Sequence, residues 1–100
     1  MKKQGYSAKF DEQIYEKFKE IASRNGYKLN AFLNLKIREY SKDTIFKKYK
    51  VDSNYKNKCI FIDKDLHKKA KNAYYLKDKL TIRDYIQSVL ERVVLEERHK

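Results

Sequence analysis

The sequence predicts a mainly α-helical fold carrying two short β-strands, built as two tandem copies of one strand-helix-helix unit within 100 residues. Three observations lead there. The apolar pattern of residues 10–40 returns over residues 62–93, each stretch opens on an aspartate placed to cap a helix, and a segment of strand character precedes each aspartate. The length suits a single domain, and 41% apolar residues supply a small core.

In the first copy, Tyr6-Ser7-Ala8-Lys9-Phe10 alternates strictly between apolar and polar side chains, the period of a half-buried strand. Asp11 follows, with a carboxylate that can accept from the free amides of a first helical turn, and Glu12 adds negative charge at the positive helix end. Ile14, Phe18, Ile21 and Ala22 then fall at i, i+4, i+7 and i+8, one face of a helix that Asn25-Gly26 is suited to end. A second helix presents Phe32, Leu33, Ile37 and Tyr40. Asn30 is its expected cap, because Lys28 stands where the second copy has a threonine.

Residues 41–57, with five lysines and two aspartates, form a linker, or extend the preceding helix as far as Phe46. Cys59-Ile60-Phe61-Ile62 then has the β-branched and aromatic content of a strand. Asp63 and Asp65 mark the next helix start, and Leu66, Ala70, Ala73 and Tyr74 repeat the first helical face at an offset of 52 until a stop near Lys77-Asp78. Thr81-Ile82-Arg83-Asp84 has the form of a capping box. Beyond it Tyr85, Ile86, Leu90 and Val93 repeat Phe32, Leu33, Ile37 and Tyr40 at an offset of 53, so one residue has been inserted in a turn. Neither unit is long enough to fold alone, and a lone strand has nothing to pair with. The units at 1–40 and 58–100 must therefore share one core.

No apolar run exceeds four residues, far short of the roughly 18 of a membrane span. The opening residues, Met1-Lys2-Lys3-Gln4-Gly5-Tyr6-Ser7, lack the apolar segment of a secretory signal, and the single cysteine, Cys59, cannot form an internal disulfide. A cytoplasmic, nucleoid-associated location is expected. With 25 basic against 14 acidic residues, the net charge of +11 calls for a polyanionic partner, nucleic acid first, or else forms a solvated basic surface. The excess is spread as +4 over residues 1–40, +3 over 41–57 and +4 over 58–100, so it does not locate a site. His67 and His99 have no ligand spacing to each other or to Cys59, and no phosphate loop, nucleophile elbow or carboxylate pair is present. An enzyme, a metal, a cofactor and a small-molecule substrate are accordingly not expected.

The stretch Ile60-Phe61-Ile62-Asp63-Lys64-Asp65-Leu66-His67-Lys68-Lys69-Ala70-Lys71, followed by Leu80-Thr81 and Tyr85-Ile86, resembles the ribbon-helix-helix (Arc/MetJ-type) DNA-binding family. The first copy keeps Phe10-Asp11, Ile14, Phe18, Ala22, Gly26 and Phe32-Leu33, so the resemblance covers about 80 of the 100 residues. It implies that two units intertwine, that their strands pair antiparallel, and that the resulting two-stranded ribbon enters the major groove. Members normally carry one unit and dimerise. Two units in one chain imply a single-chain pseudo-dimer, with pairing of like copies between two chains as the alternative.

In the family the residue before the capping aspartate faces the core, and alternation then fixes both faces of the ribbon. Phe10, Ala8 and Tyr6 point inward and leave Gly5, Ser7 and Lys9 outward; Ile62, Ile60 and Lys58 point inward and leave Phe61, Cys59 and Asn57 outward. The outward six are the implied base readers. Lys9 suits guanine O6 and N7, Ser7 several base edges, and Asn57 is the good hydrogen-bonding group of its strand. Phe61 has two readings, contact with a thymine methyl or burial. Family geometry also implies phosphate contacts at the start of the second helix of each copy, beside Lys28 and Asn30 and beside Lys79 and Thr81. Lys68, Lys69 and Lys71 lie on an outer helical face and stay in solvent. The implied function is sequence-specific binding of double-stranded DNA as a transcriptional repressor, with self-association on DNA. The alternatives are an accessory DNA-binding protein of plasmid mobilisation or copy control, and a basic helical protein-interaction module.

Overall fold

The strict alternation around Tyr6–Phe10 becomes a strand, β1 (Lys3–Asp11), which Asp11 hands to helix α1 (Glu12–Arg24). In the computed structural model, which describes residues 3–39, 50–65, 68 and 82–98, there follow α2 (Leu29–Glu39), β2 (Tyr55–Asp63) and α3 (Ile82–Arg98). β1 and β2 pair antiparallel as a two-stranded sheet, from Lys3 opposite Asp63 to Asp11 opposite Tyr55. The ladder is centred on Ser7 opposite Cys59, two positions separated by the same 52 residues that relate the sequence copies.

The helix signals act locally as their chemistry requires. Asp11 Oδ1 accepts from Ile14 N at 3.2 Å, at the start of α1. At its other end Asn25 N donates to the carbonyls of Ile21 and Ala22, Tyr27 N donates back to Ala22 O at 2.9 Å, and Gly26 takes the left-handed conformation with φ 79°. α2 begins at Leu29, with Lys28 O accepting from Phe32 N at 3.0 Å. Asn30 therefore lies inside the first turn and is not the cap, because its side-chain oxygen is held by the sheet, as described below.

β2 is longer than its apolar stretch. Asp52 Oδ1 accepts from Asn54 N at 2.8 Å, Asp52 O from Tyr55 N at 3.1 Å, and Asn54 O from Glu12 N at 3.0 Å. This tight turn is anchored to the start of α1 and returns the chain early, so Tyr55, Lys56 and Asn57 belong to the strand instead of the linker.

One core fills the space between the sheet and the helices. Phe10, Ile60 and Ile62 enter it from the sheet; Phe18, Ile21 and Ala22 from α1; Phe32, Leu33 and Ile37 from α2; and Tyr85, Ile86, Val89, Leu90, Val93 and Val94 from α3. Helix α3 is buried without interruption from Asp84 to Leu90, which encloses it on all sides. The packing is crossed: α2, from the first half of the chain, lies on β2, and α3, from the second half, lies on β1. Arg38 near the end of α2 adds an ion pair at 2.8 Å to Asp63, with Asp65 at 3.9 Å.

Lys64, Asp65 and Lys68 are helical, and the Lys68 side chain is exposed. Several sequence expectations lie outside the described residues: the apolar face Leu66, Ala70, Ala73 and Tyr74 with its stop at Lys77-Asp78, the contribution of Tyr40, the linker through Tyr49, Lys69, Lys71, both histidines, and the sites at Lys79 and Thr81.

Candidate nucleic-acid interface

The outward face of the sheet brings together six side-chain positions as three directly opposed pairs: Lys9 with Asn57, Ser7 with Cys59, and Gly5 with Phe61. All six are exposed. Period-two alternation causes this, because Phe10, Ile60 and Ile62 are drawn into the core and Tyr6 and Ala8 pack against it. Lys58 is turned inward as well. Its ammonium lies 5.1 Å from the centre of the Tyr15 ring and 3.8 Å from Glu16 Oε1, so it is not a group of the outward face.

The two ends of that face differ in chemistry. Lys9 and Asn57 place an ammonium and a carboxamide side by side, and Ser7 with the free thiol of Cys59 makes a low centre. At the far end the Phe61 ring leans across Gly5: a Cβ on Gly5 would meet Phe61 Cε1 at 3.2 Å. Phe61 remains 45% exposed in the chain by itself.

Helix carboxamides bind the outer edges of both strands, at Phe61 and Asp63 of β2 and at Asp11 of β1. Asn30 Oδ1 accepts from Phe61 N at 3.0 Å, Asn34 Nδ2 donates to Phe61 O at 3.0 Å, and Asn34 Oδ1 accepts from Asp63 N at 2.8 Å. Asn34 Nδ2 also donates to Asn30 O at 2.7 Å. On the other strand Gln87 Oε1 accepts from Asp11 N at 3.2 Å. Asn34 and Gln87 are 53 apart, the offset of the second helices, and both are buried. Sequence reading passed over them, although a carboxamide at the same repeat position inside an apolar face was a usable signal.

The bond from Phe61 N to Asn30 sets the start of α2 beside the Gly5–Phe61 end of the sheet. Lys28, exposed, immediately precedes this helix start, where amide groups lack partners in the first turn. Tyr27, also exposed, packs on Phe32 with ring centres 5.4 Å apart. Behind the sheet, burial pushes the phenol of Tyr6 above its ordinary pKa of 10.0, opposed by the positive charge of Arg83. Burial raises Tyr15 and Tyr55 in the same way, helped by the negative charges of Glu16 and Asp11 respectively.

Among the described residues no cluster of three or more His, Cys, Asp or Glu could hold a metal ion, and no helix is long and apolar enough to cross a membrane. Comparison with known proteins gives no match, neither to a family model, nor to a curated protein, nor to a solved structure.

Proposed function

We propose that the chain is a sequence-specific double-stranded DNA-binding protein, a transcriptional repressor of ribbon-helix-helix type, folded as a single-chain pseudo-dimer. The observation that carries this reading is the outward face of the sheet, where three opposed pairs of exposed residues are held on a helix-backed ribbon in a chain of net charge +11. A two-stranded ribbon, with strands about 4.8 Å apart, fits a major groove about 12 Å wide.

Three relationships support the pseudo-dimer. The ladder is centred on residues one repeat apart, Ser7 and Cys59. Asp63 N binds Asn34 as Asp11 N binds Gln87, one copy reproducing the bond of the other. Each second helix packs on the strand of the opposite copy.

In the groove, Lys9 donates to guanine O6 or N7, Asn57 pairs with the N6 and N7 edge of adenine, and Ser7 adapts to either. Lys28 and the amides opening α2 take a phosphate beside the ribbon, which fixes register without reading sequence. Because the two strands carry different residues, the preferred site is asymmetric. The two-stranded sheet weighs against a purely helical interaction module.

Selection from a genomic DNA pool at two salt concentrations tests this. Contact with about six phosphates gives a log–log slope of affinity against salt near −5, together with enrichment of one sequence class. A flat salt response, or equal affinity for every sequence, rejects specific ribbon readout.

A further inference from the structure

Among the described residues five large apolar side chains are notably exposed, Tyr27, Leu35, Val51, Phe61 and Leu95, and of these Phe61 is the one on the outward face of the sheet. It is also unusually well fixed. Its N–H is held by Asn30 Oδ1 and its carbonyl by Asn34 Nδ2, both at 3.0 Å, while its ring rests against Gly5, where any larger residue would crowd it. An exposed aromatic ring on a backbone restrained from one edge, and laid over a glycine from the other strand, pays little ordering cost on contact with a ligand.

We infer that Phe61 reads the C5-methyl group of a pyrimidine in the major groove, and that Asn30 and Asn34 are its positioning residues. This rests on the DNA-binding reading above and gives it a specific chemistry. The donors and acceptors of the major-groove edge suit Lys9, Ser7 and Asn57, whereas the thymine methyl is the apolar feature of that edge and suits a phenyl ring. Phe61 and Asn57 are four residues apart on β2, about 13 Å along the strand, so the methyl belongs to a different base pair from the one that Lys9 and Asn57 meet. Asn30 thereby acts on specificity through Phe61, in addition to its place beside a phosphate site.

The test replaces each thymine of the selected site by uracil, one at a time, which removes the methyl and keeps every hydrogen-bonding group. At one position the full chain should bind about fourfold more weakly, the value of one buried methyl-sized group. F61A, whose side chain is largely outside the core, should bind the thymine and uracil forms equally. N30A should lose the same discrimination with its salt slope unchanged, whereas N30D, which keeps an oxygen acceptor for Phe61 N–H, should bind all DNA less tightly but retain the thymine-to-uracil ratio. Salt-dependent, sequence-selective binding that is indifferent to uracil everywhere, or discrimination that survives in F61A, overturns the methyl reading. Discrimination that survives in N30A overturns the positioning role. Absence of salt-dependent DNA binding in the unmodified chain removes the DNA-binding reading itself, a result distinct from both.

Discussion

The backbone N–H of Asp11 donates to Oε1 of Gln87 at 3.2 Å, across 76 positions of the chain. Asp11 ends β1 and also opens α1 through its carboxylate, so this bond ties the strand-to-helix junction of one half to the central helix of the other. Gln87 is 1% exposed, and the strand amide gives its buried polar oxygen a partner.

Replacing Gln87 with Ala leaves the Asp11 amide without that acceptor and should cost about 1–3 kcal/mol. Asn34→Ala should cost more, since it removes bonds to Phe61 O and Asn30 O and the acceptor of Asp63 N. Urea denaturation of the two variants checks both the sign and the order; a neutral Asn34→Ala would contradict its role at the strand edge.

Lys9→Ala and Lys28→Ala should separate the two kinds of DNA contact proposed above. Lys9 stands on the outward face and Lys28 at a helix start, so the first change should relax sequence preference and the second should weaken all sequences alike. Binding measured on the selected site and on scrambled DNA decides, and loss of specificity from the Lys28 change would mean that the face has been misassigned.

Gly26 follows α1 with φ 79°, and a Cβ there would meet open space, so only backbone strain opposes substitution. Gly26→Ala should therefore cost about 1 kcal/mol and Gly26→Asn less, read as shifts in thermal midpoint.

Stability should fall in alkali. The phenols of Tyr6, Tyr15 and Tyr55 have pKa values raised above 10.0 in the folded chain, so between 10 and the raised values the folded state binds more protons than the unfolded one. Their neutral forms are equally present in both states below 10, and stability is lost as pH climbs through and beyond it. Denaturation midpoints compared on either side of pH 10, with Tyr6→Phe as a variant that should blunt the fall, check the assignment.

Much of this fold could be read from the chain because its signals are local. Alternation at Tyr6–Phe10, the Asp11 cap and the Asn25-Gly26 stop each act within a few residues, and the structure has a strand, a capped helix start and a left-handed turn there. What escaped depends on partners distant in sequence. Tyr55–Asn57 has no apolar run and becomes strand through its pairing with Lys9–Asp11 and the turn at Asp52. Asn30 looked like a cap because its neighbours in sequence allowed it, but the amide of Phe61, 31 positions away, takes its oxygen. Asp84, Gln87 and Ser88 are polar and yet buried, since α3 is covered on the sides that a one-faced apolar pattern would leave to water. The six outward positions followed from alternation once the family resemblance had set the residue before each aspartate inward, whereas register sets Gly5 opposite Phe61.

The centring of the ladder on Ser7 and Cys59 has an evolutionary consequence. In a sheet made by two identical subunits, every codon change is written twice, and the two sides of the ribbon cannot drift apart. Here each strand has its own codons. Lys9 and Phe61 each stand two residues before the aspartate that ends their strand, yet one is a cation and the other an aromatic ring. Each side of the ribbon can thus acquire a new residue while the other keeps its own, a freedom that comes with carrying both strands in one chain.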